Sequence, residues 1–257
     1  MDDGSDHACI PDRTEEFREQ LESQRSTIRR KYERYSLGIA PRHCPMCGYN
    51  GLFGPFGVPP RFDCCCPACN SLDRHRLIWL AITRQGMLNK SHWLLHFAAE
   101  VPLPRKVRPL VGRSETAELR ADTRLDHLIP IEDIALPDDS FERIICNHVL
   151  EHVDDRRALA EMYRILLPWG VTILTSPVIE GWTQTYVNPD ITSKADWLVH
   201  FGHADHRRLF GRDLRDRIRA AGFALDEVPA VEPDVARYGL MRGETVFIAT
   251  KPAAGAA

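Results

Sequence analysis

Leu136-Pro137-Asp138-Asp139-Ser140-Phe141-Glu142-Arg143-Ile144-Ile145-Cys146-Asn147-His148-Val149-Leu150-Glu151-His152-Val153 is the stretch that decides the fold. An acidic, proline-led loop runs into a short apolar strand over 143–146. The strand ends in a polar crest, Asn147 and His148. A helical pattern follows over 156–167, and Pro168-Trp169-Gly170 then turns into another apolar strand over 171–176. Outward from this block the texture repeats. Strand candidates cover 93–98, 114–119, 225–231 and 245–250, and a further helix candidate covers 208–221. Such alternation predicts an α/β fold with a doubly wound, mostly parallel sheet. In open sheets of this kind ligands sit at the carboxyl ends of the strands, where Asn147 and His148 fall.

The chain has 257 residues, enough for one medium domain and a small appendage. Hydrophobic residues make up 44% and charged residues 27%, so a real core is expected. No apolar run approaches bilayer length and the start does not read as a signal peptide, which predicts a cytoplasmic protein without a membrane partner. The formal net charge of −3 argues against a general coat for nucleic acid. The charge is nevertheless uneven: ten basic and three acidic residues between Arg25 and Gly86 give +7, leaving −10 for the rest. A basic front on an acidic body suits an anionic partner. The simpler account is a salt-bridged helix and a basic module docked on an acidic domain.

Residues 1–41 read as a polar tail and a charged helix over 13–36. Thr14 is its candidate N-cap, and Glu15, Glu16 and Glu19 lie where the helix dipole favours acids. Phe17, Leu21, Ile28, Tyr32 and Tyr35 form a thin apolar stripe, suited to packing on the parent domain or on a second subunit. Both monomer and homodimer remain open. Residues 42–73 form a separate module. Cys44-Pro-Met-Cys47 and Cys66-Pro-Ala-Cys69 match the spacing of a four-thiolate zinc site, with each knuckle aiming two sulfurs at one point. A full set of four thiolates makes that zinc structural. Cys64 and Cys65 stand beside Cys66 as alternative ligands. Cys9 and Cys146 look unrelated.

The block from 137 to 170 resembles the class I S-adenosylmethionine-dependent methyltransferases, in which a strand ends in a polar crest, then "LEHV", then a helix leading to "R-x-L-x-P-G-G". Here that last element reads Arg164-Ile165-Leu166-Leu167-Pro168-Trp169-Gly170, with a tryptophan for the first glycine. The resemblance spans 93–251 and implies a Rossmann-like methyltransferase domain over 74–251, followed by a loose tail over 252–257. The first strand and its loop, Leu94-Leu95-His96-Phe97-Ala98-Ala99-Glu100, lack the family's glycine-rich turn. They are similar to a subgroup with a zinc-ribbon front and an "LHFAPE"-like loop. The resemblance implies cofactor contacts from His96, Phe97, Ala98, Ala99 and Glu100, from Glu118 and Leu119 at the ribose, from Ile131, Glu132 and Asp133 at the adenine, and from Asn147 and His148 at the crest.

Residues 178–205 form an insertion holding Glu180, Trp182, Tyr186 and Asp190, long enough to read as a substrate lid. It ends in His200-Phe201-Gly202-His203-Ala204-Asp205-His206-Arg207-Arg208. Three histidines at three-residue spacing suit a metal. The subgroup pattern "FG-x-x-DH-x-R-x-(Y/F)G-x-D-L" favours Asp205 and His206 as the important pair instead. A neutral imidazole beside a carboxylate is a competent general base, so His206 is the expected base, with His148 as the alternative. Arg208 suits an anionic group of the substrate, with Glu180, Trp182 and Tyr186 as the other substrate contacts. His152 is given no role. The leading expectation is methyl transfer to a small-molecule or sugar-like acceptor. Two others stand beside it: an RNA methyltransferase gripping phosphate through the basic module, and a methyltransferase-like scaffold without catalysis.

Overall fold

A computed structural model describes residues 14–57, 60–118 and 126–253. Leu119, Cys9 and the ends of both tails lie outside the described residues. Helix α1 (Thr14–Ser36) begins with Glu15 and Glu16 in its first turn. Phe17 and Ile28 on its stripe are 62% and 66% exposed, so at these two positions the stripe does not pack on the domain. Strands β1 (Arg42–His43) and β2 (Asn50–Gly51) pair antiparallel, as do β3 (Gly54–Phe56) and β4 (Arg61–Cys65). These strands are too short to show a period, which is why the sequence in this stretch reads as irregular. Next come α2 (Asp73–Gln85), β5 (Trp93–Phe97), α3 (Leu103–Val107), β6 (Arg113–Glu118) and β7 (His127–Leu128). They are followed by β8 (Phe141–Asn147), α4 (Asp155–Ile165), β9 (Leu166–Thr175) and α5 (Lys194–Phe201). The chain closes with α6 (Leu214–Ala220), β10 (Ala224–Pro229), α7 (Asp234–Tyr238) and β11 (Thr245–Thr250).

The main sheet has seven strands in the order β10-β11-β9-β8-β5-β6-β7. Strands β7, β6, β5, β8 and β9 run parallel, and β11 enters antiparallel between β9 and β10. The parallel doubly wound sheet is therefore present, with an antiparallel edge. Two helices are shorter than the sequence pattern suggests. Pro168 has no N–H to give a helix, so α4 stops at Ile165 and Leu166 is already extended. Residues 208–213 do not join α6, because their backbone is spent on the insertion: Ile179 N donates to Phe210 O at 2.8 Å, and Tyr186 and Leu209 exchange bonds at 2.9 and 3.0 Å.

Alternation along the strands divides the core into two layers. Leu95, Phe97, Ile144, Cys146 and Leu174 face α4 and α6 through Leu159, Met162, Leu214 and Ile218. Leu94, Ile145, Ile173 and Ile248 face α2 and α3 through Leu77, Ile78, Ala81 and Val107. Each fully buried leucine or isoleucine contributes roughly 1.5–3 kcal/mol. The second layer continues without a break into Cys44, Met46, Phe53 and Cys66.

Arg76 on α2 is the bolt between them. It is fully buried. Its guanidinium donates to Tyr238 O at 2.7 Å, Ser71 O at 2.5 Å, Cys64 O at 2.9 Å and Gly239 O at 2.6 Å, and it lies 4.6 Å from the Phe53 ring centre. One side chain thus satisfies carbonyls from the cysteine-rich segment and from the loop after α7. Arg76→Ala strands four acceptors and opens a hole, so chemical denaturation should show a loss on the order of 3 kcal/mol or more. A loss within the few tenths typical of surface changes would remove Arg76 from this role.

Candidate active site and cysteine cluster

Chain direction across the sheet reverses between β5 and β8: β6 and β7 are laid down on one side, β9 on the other. Crevices form at such a switch point, beyond the carboxyl ends of the strands. Phe97 is in register with Cys146 on β8 and with Ala117 on β6, so the loops that start at Ala98, Glu118 and Asn147 open on one edge. Ala98 and Ala99 are half-buried there, and Glu118 is half-buried at the end of β6. Ala98 takes φ +48, the left-handed turn that a glycine would make, and its N–H reaches Ala117 O at 3.2 Å. The glycine-free loop therefore makes the close turn with an alanine. Asp133 is exposed, and Ile131 is buried.

Other expected contacts stand elsewhere. His96 is buried on the α2 face beside Leu94, and Phe97 lies in the opposite core layer. Neither shows appreciable surface to a ligand. Burial pushes the His96 imidazole down to about 3, with His75 acting in the same direction, so it is neutral. Glu100 is a brace: it binds Arg74 through 2.7 and 2.6 Å contacts and His75 Nε2 at 2.7 Å, tying the loop to α2. Against the pull of burial, the hydrogen bond with His75 and the Arg74 guanidinium hold its carboxyl at about 2. Glu132 accepts from the Asp154 N–H at the start of α4. Asn147 is buried and its Oδ1 accepts from Thr175 Oγ1.

His148 does not suit the part of base. It sits at φ +54, with Nδ1 3.2 Å from Glu151 Oε1 and Nε2 3.4 Å from Glu244 Oε1. Burial disfavours its charge, but the two carboxylates outweigh it and raise the imidazole to about 9. As an imidazolium it has no lone pair near neutral pH. The Arg208 guanidinium is held on buried Asp155, which also takes Arg217 at 3.0 Å. Glu180 pairs with Arg215 at 2.8 Å. Within the insertion Tyr186 Oη meets His200 Nδ1 at 3.0 Å, and Trp182 is 42% exposed. A Cβ on Gly211 would come within 2.6 Å of the Gln184 backbone, so that glycine is what lets the insertion lie against 207–212.

The insertion brings a polar cluster to the crest. Glu151 is 1% exposed, accepts from Ser176 Oγ at 2.6 Å, and through its backbone oxygen holds Arg207 N at 2.9 Å. Beyond it stand His152, His203, Asp205 and His206. The His206 ring centre is 4.7 Å from that of His152 and 4.8 Å from that of His203. Asp205 does not orient His206 directly; its carboxylate pairs with His203 and lies 3.2 Å from His152 Nδ1. Burial pushes His206 down to about 4 although Glu151 opposes it. His152 is the residue that sequence reasoning left without a part. Its only signal was its place one turn beyond His148.

The cysteines meet as expected. The sulfurs of Cys44, Cys47, Cys66 and Cys69 form one group, with Cys44–Cys69 and Cys47–Cys66 each 3.7 Å apart. A tetrahedral ion with metal–sulfur bonds of about 2.3 Å needs edges of about 3.8 Å. Of the three adjacent cysteines, Cys66 joins the group, whereas Cys64 turns its thiol to Arg61 O at 3.4 Å.

Residues 113–174 match the family model described as a methyltransferase domain. No curated protein matches the chain. Among solved structures, it is similar to a methyltransferase from Mesorhizobium loti (15% identity, 68% of this chain and 97% of that one, TM-score 0.49). It is similar too to the 1,6-didemethyltoxoflavin-N1-methyltransferase of Burkholderia thailandensis, solved with its substrate and S-adenosylhomocysteine (19% identity, 68% and 76%, TM-score 0.47). A third is the YcgJ protein of Bacillus subtilis (14% identity, 69% and 99%, TM-score 0.48). No described helix is long and apolar enough to cross a membrane.

The Glu100 brace sets a pH dependence. Its carboxyl is held below the ordinary 4.5, so its contribution is whole above that value and fades as pH falls towards about 2. Glu100→Gln should melt below wild type at neutral pH, and the gap should narrow across that acid range. A gap independent of pH would show that the ion pairs are not its source.

Proposed function

We propose that the chain transfers the methyl group of S-adenosylmethionine to a small-molecule acceptor at the carboxyl edge of β5, β6 and β8. The observation that carries this reading is the common edge shared by the Ala98 turn, Glu118 and the Asn147 crest at the switch point. The half-buried alanines leave the backbone approachable, and a carboxylate at the end of β6 suits two vicinal hydroxyls. Those residues therefore fit the cofactor, which supplies an electrophilic methyl on a sulfonium. Bound there, it would supply its methyl to the acceptor, the acceptor–CH3 bond forming as the S–CH3 bond breaks and the sulfur departing as a neutral thioether. His206 stands at the crest as a neutral imidazole and is the proposed acceptor of the proton that a hydroxyl or amine must lose.

An RNA substrate is less well supported. Half of the ten basic residues of the front are engaged inside the molecule: Arg42 on Asp63, Arg61 on Asp73, Arg74 on Glu100, Arg84 on Asp234, and Arg76 on four carbonyls. Zinc on the four thiolates is part of the same proposal; the sulfur spacing supports it, and its role is to hold residues 42–73 together.

Glu118→Ala should weaken binding of S-adenosylhomocysteine by roughly 1–3 kcal/mol, read by calorimetry. Native affinity in that variant removes Glu118 from the site, and no binding to the wild type removes the methyl-transfer reading. Cys44→Ser should release about one zinc per chain by elemental analysis. Unchanged zinc content would count against the four-thiolate site.

A further inference from the structure

The insertion and the crest assemble donors that methyl transfer by itself does not call for. His203, Asp205 and His206 offer one ligand atom each, all within 4.8 Å of one another. This is a two-histidine, one-carboxylate set, the donor pattern that holds first-row divalent metals while leaving coordination positions open. His152 supports it from behind: its Nδ1 lies 3.2 Å from the Asp205 carboxylate, the relation by which a neighbouring group fixes a ligating carboxylate. A second observation comes from the buried side. The Glu151 carboxylate, 1% exposed, lies within 4.8 Å of the His152 and His206 ligand atoms, so it adds negative potential behind the set while its own charge is paired with His148 at 3.2 Å. His200, by contrast, has turned away to Tyr186, so the three histidines spaced along the chain are not the set.

The geometry points to a divalent transition-metal site formed by His203, Asp205 and His206, oriented by His152 and open to an oxygen of the methyl acceptor. The site lies at the ends of β8 and β9, because Glu151 joins His148 and Ser176 there. An acceptor hydroxyl bound to such a cation loses its proton more readily, and a carboxylate or vicinal diol on the acceptor gains a second anchoring point. The acceptor class is therefore an oxygen-rich small molecule that chelates. This inference rests on the methyl-transfer reading and alters one part of it: His206 serves as ligand in place of base.

The test is a Mn2+ titration of the full-length, zinc-replete chain, followed by electron paramagnetic resonance. Mn2+ prefers oxygen and imidazole donors and does not displace zinc from thiolates. Wild type should bind one Mn2+ per chain. His203→Ala, whose side chain is 60% exposed and so not needed for folding, should bind about tenfold more weakly or worse, as should Asp205→Asn. Calorimetry with S-adenosylhomocysteine should be unchanged in both variants, which separates failure of this site from failure of the cofactor site. No bound Mn2+ or Co2+ at about millimolar free metal, or equal affinity in wild type, His203→Ala and Asp205→Asn, overturns the inference.

Discussion

A carboxylate deprived of water governs the crest of this molecule. Glu151 lies in a short 3-10 turn after β8 and is sealed from solvent. Burial alone would neutralise it, yet the pairing with His148 and the Ser176 hydroxyl holds it at about 2. An unpaired charge in that place would cost several kcal/mol. The end of β9 and the segment at Arg207 therefore cannot shift without exposing or orphaning it. Because Arg207 N is bonded to its backbone oxygen, the preceding residue, His206, is delivered to the crest as a direct consequence.

Residues other than glycine that take left-handed backbone include Ala98 at φ +48 and His148 at +54 at the crest, and Trp169 at +66 at the opposite end of the sheet. Each costs about 1–2 kcal/mol for an L-residue, so each needs an anchor nearby. Ala98 is followed by Glu100, clamped to Arg74 and His75. His148 is held between two carboxylates. Trp169 donates to Lys251 O at 2.8 Å, and Lys251 N returns a bond to Gly170 O at 2.9 Å. Gly170 is the glycine that remains, and it must: a Cβ there would stand 2.7 Å from Leu167 O. A tryptophan in the preceding position is tolerated because its side chain points to solvent, 64% exposed. The chain has replaced conformational freedom by anchoring.

What was legible in the sequence follows from this. Apolar alternation at Leu94–Phe97 and Ile144–Cys146 reports burial on both faces of a parallel sheet, so the strands and their order of appearance could be read directly. The CxxC pairs carry their geometry in their spacing, and the sulfurs meet at 3.7 Å. Polar residues carry no such spacing. Arg208 looks like a substrate clamp until Asp155, 53 positions earlier, is seen beneath it. Glu100 looks like a cofactor ligand until Arg74 and His75 arrive from α2. His152 looks like a surface histidine until the insertion folds back on it. In each case the deciding partner is distant in the chain, and nothing local announces it.

The charge imbalance between front and body resolves in the same way. An excess of +7 over residues 25–86 suggests a surface waiting for an anion. The packing instead draws acids from the main domain onto those arginines: Glu100 from the loop after β5, and Asp234 from the start of α7. Charge segregated along the chain becomes charge paired between α2 and the elements packed against it. Exposed ion pairs add little stability, but the buried guanidinium of Arg76 at their centre cannot be removed without stranding its acceptors. The front is thereby bound to the sheet as one body.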